Sequence, residues 1–247
     1  SALTHLREQA ITVSGEKDVE KPLDAHFSKG VKETLPLLPA SLDTALFGRM
    51  VTSDVFARVD AAVSVAHAFT THREASETDY FTAVDTLKDG DDDAGAGLIQ
   101  ETELTSGVFY LYLVIDMVQL RSNLVGLIED DPGLPERLAG ALVEAVATVS
   151  PGAKRGSTAP YAYAEFILTE RGSAQPRSLA NAFLDPVPAD GANLMVASVS
   201  ALLDHRSRLA SMYGDTFTTC AASIHEVEGI DRVSLVDLIQ RTFPAPE

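Results

Sequence analysis

Histidine and aspartate are the residue types in this sequence that could act as acids, bases or metal ligands. His67 and His72 are five residues apart on a predicted strand, which places them on opposite faces, and we interpret them as a packed histidine followed by a surface one. Asp89 and Asp91–Asp93 could chelate Ca²⁺ or Mg²⁺, but they lack the spacing and closing Glu of an EF-hand loop. His225, in IHEVEG, resembles half of a zinc motif. We therefore predict no metal site, and a solvated loop tip for the aspartates.

The sequence also lacks the common catalytic signatures. It contains no HExxH, GxSxG, Walker A loop or spaced CxxC pair. Gly95-Ala96-Gly97 is not followed by the rest of a dinucleotide fingerprint, so we interpret it as a hinge. Cys220, in TTCAAS, has no evident base beside it and is predicted to be a small core residue. The expectation is a protein with no catalytic residues and no cofactor.

The charge balance argues against general nucleic-acid coating. Nineteen Lys and Arg stand against 36 Asp and Glu, a net charge of −17, and such a surface repels phosphates and anionic membranes. A window from Pro151 to Ala180 departs from this average. Its charged residues are Lys154, Arg155, Arg171 and Arg177 against Glu165 and Glu170. Glycines on both sides of Lys154-Arg155 let the backbone approach a ligand, so this pair is a candidate phosphate contact, with an exposed basic loop as the alternative.

Cysteine usage and hydropathy set the expected compartment. The single cysteine cannot form an internal disulfide, so a reducing cytoplasm is expected. No apolar run approaches the roughly 20 residues that span a bilayer, so no membrane partner is expected. The opening SALTHLREQA is not a signal peptide and has no initiator Met, so we expect the natural protein to begin earlier.

Hydrophobic periodicity predicts an α+β domain with a long insertion between two strands. Alternation over residues 59–69 predicts a half-buried strand, and Val108–Ile115, apolar on both faces, predicts a central strand. Between them, the acidic segment 74–105 is expected to form a Gly- and Asp-rich tip flanked by two strands. Residues 1–41 predict short helices and loops.

Capping residues bound the predicted helices. Asp116 is placed to cap a helix that runs to Leu127, and Pro135 opens the next helix. That second helix is expected to bury one face. The residues of this face are Leu138, Leu142, Val146 and Val149.

The last third of the chain predicts a strand over 162–171 and two further helices. One runs over residues 193–213 with Gly214 as its stop signal. The other begins at Ser234, which forms a capping-box pattern with Asp237.

Six sequence blocks in one order resemble a known family. They are ALFGRMVTS, VSVAHAFTTH, DYFTAVDTL, TSGVFYLY, SPGAKR and SLANAF. Together they closely resemble CasC, the repeated backbone subunit of the type I-E CRISPR Cascade complex, over about residues 45–187. The family normally opens with a first palm strand and a basic helix, and the resemblance therefore implies that this chain lacks the family's N-terminal part.

The resemblance implies a hand-shaped protein. A modified RRM-like (ferredoxin-like) palm would carry helical fingers and an inserted thumb β-hairpin. On this basis residues 1–50 are the remainder of the fingers, 51–73 a palm strand, 74–107 the thumb, and 108–247 the palm with its flanking helices.

The resemblance also assigns RNA-binding residues. Met50, in GRM, is similar to the family's wedge residue at a kink in the guide, and Phe81, in DYF, to its partner on the thumb. Arg49 would contact backbone phosphate, as would Lys154 in PGAK and Arg155 beside it. Simple core packing is the alternative for Met50 and Phe81. Leu111 stands where the family often has Arg, which removes one cation near the palm.

The implied function is non-catalytic RNA binding. Copies of the protein would polymerise along a CRISPR guide RNA and present it for pairing with target DNA, with other copies of itself and other Cascade subunits as partners. Two alternatives stay open. One is an RRM-like CRISPR endoribonuclease, which needs a general acid or base, with His67, His72 and the thumb aspartates as candidates. The other is a protein-interaction module that does not bind nucleic acid.

Overall fold

The computed structural model describes residues 41–50, 58–74, 76–83, 98–150, 159–189, 193–226 and 228–246. Within these ranges the chain forms five α-helices, eight strands and one short 3₁₀ helix. In chain order they are α1 (Leu42–Phe47), β1 (Val63–Val65), β2 (Phe69–Thr70), β3 (Glu77–Ala83), β4 (Leu98–Leu104), β5 (Phe109–Tyr110), β6 (Leu113–Ile115), α2 (Met117–Asn123), α3 (Leu134–Thr148), β7 (Phe166–Arg171), the 3₁₀ helix (Ala180–Phe183), α4 (Leu194–Tyr213), β8 (Thr218–Ser223) and α5 (Leu235–Thr242).

The described strands pair into small antiparallel sheets. The pairs are β1 with β6, β2 with β5, β3 with β4, and β7 with β8. The fold therefore mixes helices with two-stranded antiparallel sheets, as the α+β prediction requires. The described strands do not join into one continuous palm sheet. The two strands predicted to flank the acidic segment are present as β3 and β4; most of residues 1–50 and the segment's tip lie outside the described residues.

A β-bulge divides the two strands that were predicted as unbroken. Val65 pairs with Leu113 and Phe69 pairs with Tyr110, so the three residues 66–68 oppose only two on the partner strand. An extra residue bends a strand and reverses which side chains face the core. The prediction of one half-buried strand over 59–69 is therefore wrong.

The prediction of a central strand over 108–115 is wrong for the same reason. Strand pairing stops between β5 and β6, at Leu111 and Tyr112, where the opposite strand bulges. Phe109 and Leu111 are exposed rather than buried. The predicted strand is therefore divided into β5 and β6, and the three residues of β6 are only partly buried.

Helix α2 begins as predicted and ends early. The Asp116 carboxylate accepts hydrogen bonds of 2.9 Å from the backbone N–H groups of Val118 and Gln119, which confirms the cap. The helix ends at Asn123 rather than Leu127. Gly126 follows with a φ of 91°, a left-handed conformation that continues no helix.

Helix α3 buries a different face from the predicted one. Pro135 lies in its first turn as expected. Of the four predicted core residues, Leu138 and Leu142 are partly buried, whereas Val146 and Val149 are exposed. The buried positions are Pro135, Glu136, Ala139, Gly140, Val143 and Ala147. These residues are mostly small, so α5 approaches closely: a Cβ added at Gly140 would lie 2.7 Å from the Cγ2 atom of Ile239.

The two remaining predicted helices are confirmed, whereas the strand predicted over 162–171 begins only at Phe166. Strand β7 ends at Arg171, and α4 ends at Tyr213, directly before Gly214, whose φ is 83°. At the start of α5, the Ser234 hydroxyl accepts from the Asp237 N–H over 3.1 Å and donates to the Asp237 carboxylate over 2.7 Å. This pair confirms the predicted N-terminal cap.

Two core clusters share helix α3. The first consists of Ala45, Leu46, Ala62, Val63, Leu120, Leu124 and Ala139. The second consists of Val143, Cys220, Ala222 and Leu238, so Cys220 is the small core residue that was predicted. Ile115 and Phe243 pack against both clusters. The β1–β6 and β7–β8 sheets therefore rest on one shared helical layer.

An open cleft runs between these two sheets. Its volume is about 2670 Å³, and its walls include residues 107–118 on one side and 162–177 on the other. Met195, Val199 and Leu202 of α4 close a third side. No helix in the described ranges is long and apolar enough to cross a membrane.

Candidate nucleic-acid interface

Arg49 is held by its backbone directly after helix α1. Its N–H donates to the Val59 carbonyl over 2.8 Å, and the Val59 N–H donates back over 3.0 Å. The preceding Gly48 has a φ of 75°, and a Cβ there would lie 2.7 Å from the Val59 carbonyl oxygen. Only glycine satisfies both the left-handed backbone and the close approach. Gly48 therefore permits the backbone contact between Arg49 and Val59 that fixes the position of Arg49.

Met50 projects into solvent from this fixed point. Its side chain is 87% exposed. The core-packing alternative for Met50 is therefore wrong. Single exposed hydrophobic residues are common on protein surfaces, so exposure alone assigns no function, but the side chain is available for contact.

Phe81 lies on the β3–β4 hairpin, opposite Gln100. Its side chain is 41% exposed, and its neighbour Tyr80, on the other face of the strand, is also exposed. A two-stranded ribbon cannot bury both of its faces. The core-packing alternative is wrong for Phe81 as well. Phe81 therefore lies on a different element from Arg49 and Met50.

The basic window is partly described. Lys154 and Arg155 lie outside the described residues. Arg171 is exposed at the end of β7. Arg177 donates to the Glu170 carboxylate over 2.7 Å, and its guanidinium lies 4.7 Å from the centre of the Phe217 ring. The hydrogen bond from Arg177 to Glu170 raises the pKa of Arg177, so this cation serves the fold.

An ionic network that the sequence analysis missed surrounds Glu170. Arg206 of α4 donates to Glu170 over 2.8 Å and to Asp215 over 3.0 Å. Arg206 also donates to the hydroxyl of Thr219 on β8. Two guanidinium groups and two carboxylates balance in charge, and their partners lie far apart in the sequence. Spacing along the chain therefore carries no signal for this network.

The burial of the two histidines in the VSVAHAFTTH block is the reverse of the prediction. His67 lies in the bulge and is exposed, whereas His72 is half-buried. The Nε2 atom of His72 accepts from the Val108 N–H over 3.2 Å, and its Nδ1 atom lies 2.9 Å from the Arg73 carbonyl oxygen, to which it donates. Both ring nitrogens of His72 are thus committed to main-chain atoms.

The other candidate ligands do not gather into a site in the described ranges. The Nε2 atom of His225 lies 2.7 Å from a carboxylate oxygen of Glu165. Among the described residues, no group of three or more His, Cys, Asp or Glu side chains is arranged to hold a metal ion. Asp89, Asp91–Asp93 and Gly95–Gly97 lie outside the described residues.

Three of the resembling sequence blocks, VSVAHAFTTH, TSGVFYLY and SLANAF, meet in an aromatic cluster. The ring of Tyr110 lies 5.4 Å from that of Phe69 and 5.5 Å from that of Phe183, measured between centroids. The Tyr110 hydroxyl accepts from the Leu179 N–H over 3.1 Å. Tilted aromatic pairs at this separation stabilise contacts between elements. The cluster therefore fixes the SLANAF block to the β2–β5 pair.

Comparisons with known proteins place this fold. The chain resembles a subunit chain of a structure described as "CRISPR RNA-guided surveillance complex, pre-nicking", with a TM-score of 0.73 and 23% identity over 86% of this chain and 58% of that one. It resembles a chain of a second "CRISPR RNA-guided surveillance complex" with a TM-score of 0.70 and 25% identity, over 88% of this chain and 83% of that one. This chain thus spans a little over half the length of the first of these two chains.

Sequence comparison adds the family. No curated protein sequence matches the chain significantly. The family model described as "CT1975-like protein" matches residues 1–242, which is nearly the whole chain. With the mixed fold of helices and small antiparallel sheets that it shares with subunits of CRISPR surveillance complexes, this chain belongs to the family of CT1975-like proteins.

Proposed function

We propose that this protein is a non-catalytic guide-RNA-binding backbone subunit of a type I-E Cascade surveillance complex, of the CasC kind. Copies polymerise along a CRISPR RNA in the cytoplasm and present it for pairing with target DNA in antiviral defence. Other copies of the chain and other Cascade subunits are its protein partners. Membership of the CT1975-like family and the likeness to two surveillance-complex chains support this proposal.

The exposed position of Met50 is the observation that carries the proposal. The Gly48 turn and the Arg49–Val59 bridge hold the backbone, and the Met50 side chain stands 87% exposed beside them. An apolar side chain on a fixed backbone can replace the stacking lost when a base is splayed out of a single strand. In this role Met50 is the wedge at a kink in the guide, and Phe81 is its aromatic partner on the hairpin.

The same proposal assigns the rest of the hand. The β3–β4 hairpin is the thumb, and the β1–β6 and β7–β8 sheets are parts of an RRM-like palm. Their shared helical layer, through Ile115 and Phe243, supports this assignment. The fingers comprise residues 1–50.

The acidic charge of the chain limits the phosphate contacts to a few. With a net charge of −17, the surface repels RNA except where cations are concentrated. Arg49, Lys154 and Arg155 are the proposed phosphate contacts. For three contacts to a single strand, the slope of log K against log salt should be about −2 per bound copy.

Guide binding by matched variants tests the proposal. Labelled single-stranded guide RNA is titrated with Met50→Ala and Phe81→Ala, and with Met212→Ala and Tyr80→Ala as controls. Met212 is a methionine 74% exposed on α4, and Tyr80 lies on the other face of the Phe81 strand. Loss of one stacking contact should weaken binding by about 5- to 150-fold, whereas the controls should bind as the unaltered chain does. Equal binding by all four variants would show that the wedge assignment is wrong.

The two alternative functions make different predictions. An endoribonuclease would cleave the labelled guide, with or without Mg²⁺, and lose this activity in His72→Ala; the main-chain bonds of both His72 nitrogens argue for a structural role instead. An interaction module would show no affinity for guide RNA at low salt. Binding retained by the combined Met50→Ala, Phe81→Ala and Lys154→Ala variant would show that the guide is held elsewhere.

A further inference from the structure

We propose that Tyr161 and Tyr163 form a stacking platform for unpaired bases of single-stranded RNA, separate from Met50 and Phe81. The RNA ligand rests on the proposed function. The platform itself is an additional contact surface, because these residues lie in the segment between α3 and β7 and not on α1 or the hairpin. Both residues are largely exposed, at 69% for Tyr161 and 72% for Tyr163.

Hydrogen bonds fix the backbone on both sides of this tyrosine pair. The Ser150 hydroxyl donates to the Pro160 carbonyl, directly before Tyr161. The Ala164 N–H, directly after Tyr163, donates to the Ala147 carbonyl over 2.8 Å. Both anchor residues belong to the C-terminal end of α3 and its exit. The tyrosine rings are therefore presented to solvent from a backbone that is already in place, which lowers the entropy lost on binding.

The start of the platform has an unusual backbone conformation. Ala159 has a φ of 43°, the one described non-glycine residue with positive φ. Left-handed backbone is unfavourable for alanine, and the following proline disfavours it further. The Tyr161 N–H donates to the Ala159 carbonyl over 2.8 Å and closes the turn. Strained residues of this kind cluster where a segment is held for binding.

Charge favours RNA over another protein as the ligand. The tyrosines lie within the window from Pro151 to Ala180, which is basic on balance in a chain with a net charge of −17. Among the described residues of that window, Arg171 and Arg177 balance Glu165 and Glu170, and Glu170 is paired with Arg177. The basic surplus of the sequence therefore comes from Lys154 and Arg155, which lie outside the described residues. Exposed aromatic rings in a segment whose sequence carries more basic than acidic residues are typical of surfaces that bind single-stranded nucleic acid.

Tryptophan fluorescence tests the platform directly, because the chain contains no tryptophan. Tyr161→Trp and Tyr163→Trp each introduce a single reporter, and Tyr213→Trp is the control, since Tyr213 is a tyrosine 70% exposed at the end of α4. Each variant is titrated with single-stranded RNA and with an abasic strand of equal length and charge. We expect RNA to quench the first two reporters and the abasic strand to leave them unchanged, with no quenching at position 213 by either.

Affinity measurements complete the test. The double variant Tyr161→Leu with Tyr163→Leu should bind labelled RNA about 5- to 150-fold more weakly than Tyr213→Leu does, with unchanged circular dichroism and thermal unfolding. RNA binding that depends on Met50 but neither quenches the reporters nor needs the tyrosines would overturn the platform and leave the proposed function intact. Quenching by added protein without RNA would make the surface a contact between copies and overturn the platform. Absence of any RNA binding by the unaltered chain would overturn both proposals.

Discussion

Arg206 of α4 donates a hydrogen bond of 2.8 Å to Glu170 at the end of β7, and that carboxylate also accepts from Arg177 over 2.7 Å. The three side chains are only 13–15% exposed. The Arg206–Glu170 pair attaches α4, the longest described helix, to the β7–β8 sheet, and Arg206 also donates a hydrogen bond to Thr219 on β8. Ion pairs that are shielded from water are costly to break, since a partner left behind remains partly desolvated.

We therefore expect Glu170→Gln to destabilise the protein strongly. The substitution leaves two guanidinium groups with the single carboxylate of Asp215, and the free energy of unfolding should fall by about 2–4 kcal/mol. Urea denaturation measures this change. Asp204→Asn is the matched control, because Asp204 pairs with Arg208 on the exposed face of α4, and it should change stability by about 0.5 kcal/mol or less. Equal effects of the two substitutions would contradict the structural role of Glu170.

Gly48→Ala should separate backbone strain from steric clash. Gly48 combines a φ of 75° with a 2.7 Å approach to Val59, whereas Gly126 has a φ of 91° and open space around its Cβ position. Gly126→Ala should therefore lower the free energy of unfolding by about 1 kcal/mol, through backbone strain alone. Gly48→Ala should lower the free energy of unfolding by about 3 kcal/mol, because the Arg49–Val59 bridge must also move.

Guide binding gives a second measurement for the same variants. Displacement of the bridge moves Met50, so Gly48→Ala should weaken guide binding at a temperature where the protein is still folded. Gly126→Ala should not. If Gly48→Ala binds guide normally, the turn is required only for folding.

Gly140→Ala tests the close approach of α3 and α5. Alanine favours a helix by about 1 kcal/mol over glycine, but its Cβ would lie 2.7 Å from the Cγ2 atom of Ile239. Overpacking of this kind loses about 1–3 kcal/mol, so we expect net destabilisation. Ile239→Leu removes the Cγ2 methyl, and the double variant should recover about 1 kcal/mol in a double-mutant cycle. If the stability changes of the two single variants simply add in the double variant, the side chains at positions 140 and 239 do not clash and the close approach is not important for stability.

Stability should fall at alkaline pH because of Tyr112. Burial raises the pKa of its phenol, and the nearby Tyr110 and Glu170 charges raise it further. Above the ordinary tyrosine pKa of about 10, the unfolded chain loses a proton that the folded chain keeps. The unfolded state then binds fewer protons than the folded state. The contribution of Tyr112 to the free energy of unfolding, which is fully present below about pH 10, is therefore lost as the pH rises towards the pKa of the folded state.

Tyr112→Phe should remove this part of the alkaline loss. The measurement is the free energy of unfolding as a function of pH, together with the ultraviolet absorbance of tyrosinate. Tyr213→Phe, at an exposed tyrosine, is the control, and its stability should still fall at alkaline pH as that of the unaltered chain does. The same slope in both variants would mean that another group is responsible.

Local signals in the sequence predicted the starts of the helices and the end of α4, although α2 ends earlier than predicted. Asp116 and Ser234 were identified as caps and make the expected hydrogen bonds to the backbone N–H groups that follow them. Gly214 ends α4 in the left-handed conformation. These interactions join residues at most three or four apart, so the sequence alone contains both partners.

The predictions that proved wrong depended on partners far away in the sequence. The bulge at residues 66–68 exists because the opposite strand is one residue shorter. The buried face of α3 depends on the two core clusters that pack against it. His72 became the packed histidine because Val108 donates to it. Periodicity within a single segment carries no information on any of these contacts.

The candidate site divides in the same way. The sequence alone determined the blocks that resemble a CRISPR backbone subunit and, within them, the choice of Arg49, Met50 and Phe81. Only the tertiary structure decided that Met50 and Phe81 are exposed rather than buried, and that the exposed Tyr161 and Tyr163 lie on an anchored backbone. The physical reason is that residue type and spacing encode local hydrogen bonding and chemistry, whereas exposure depends on which distant surfaces pack against a side chain.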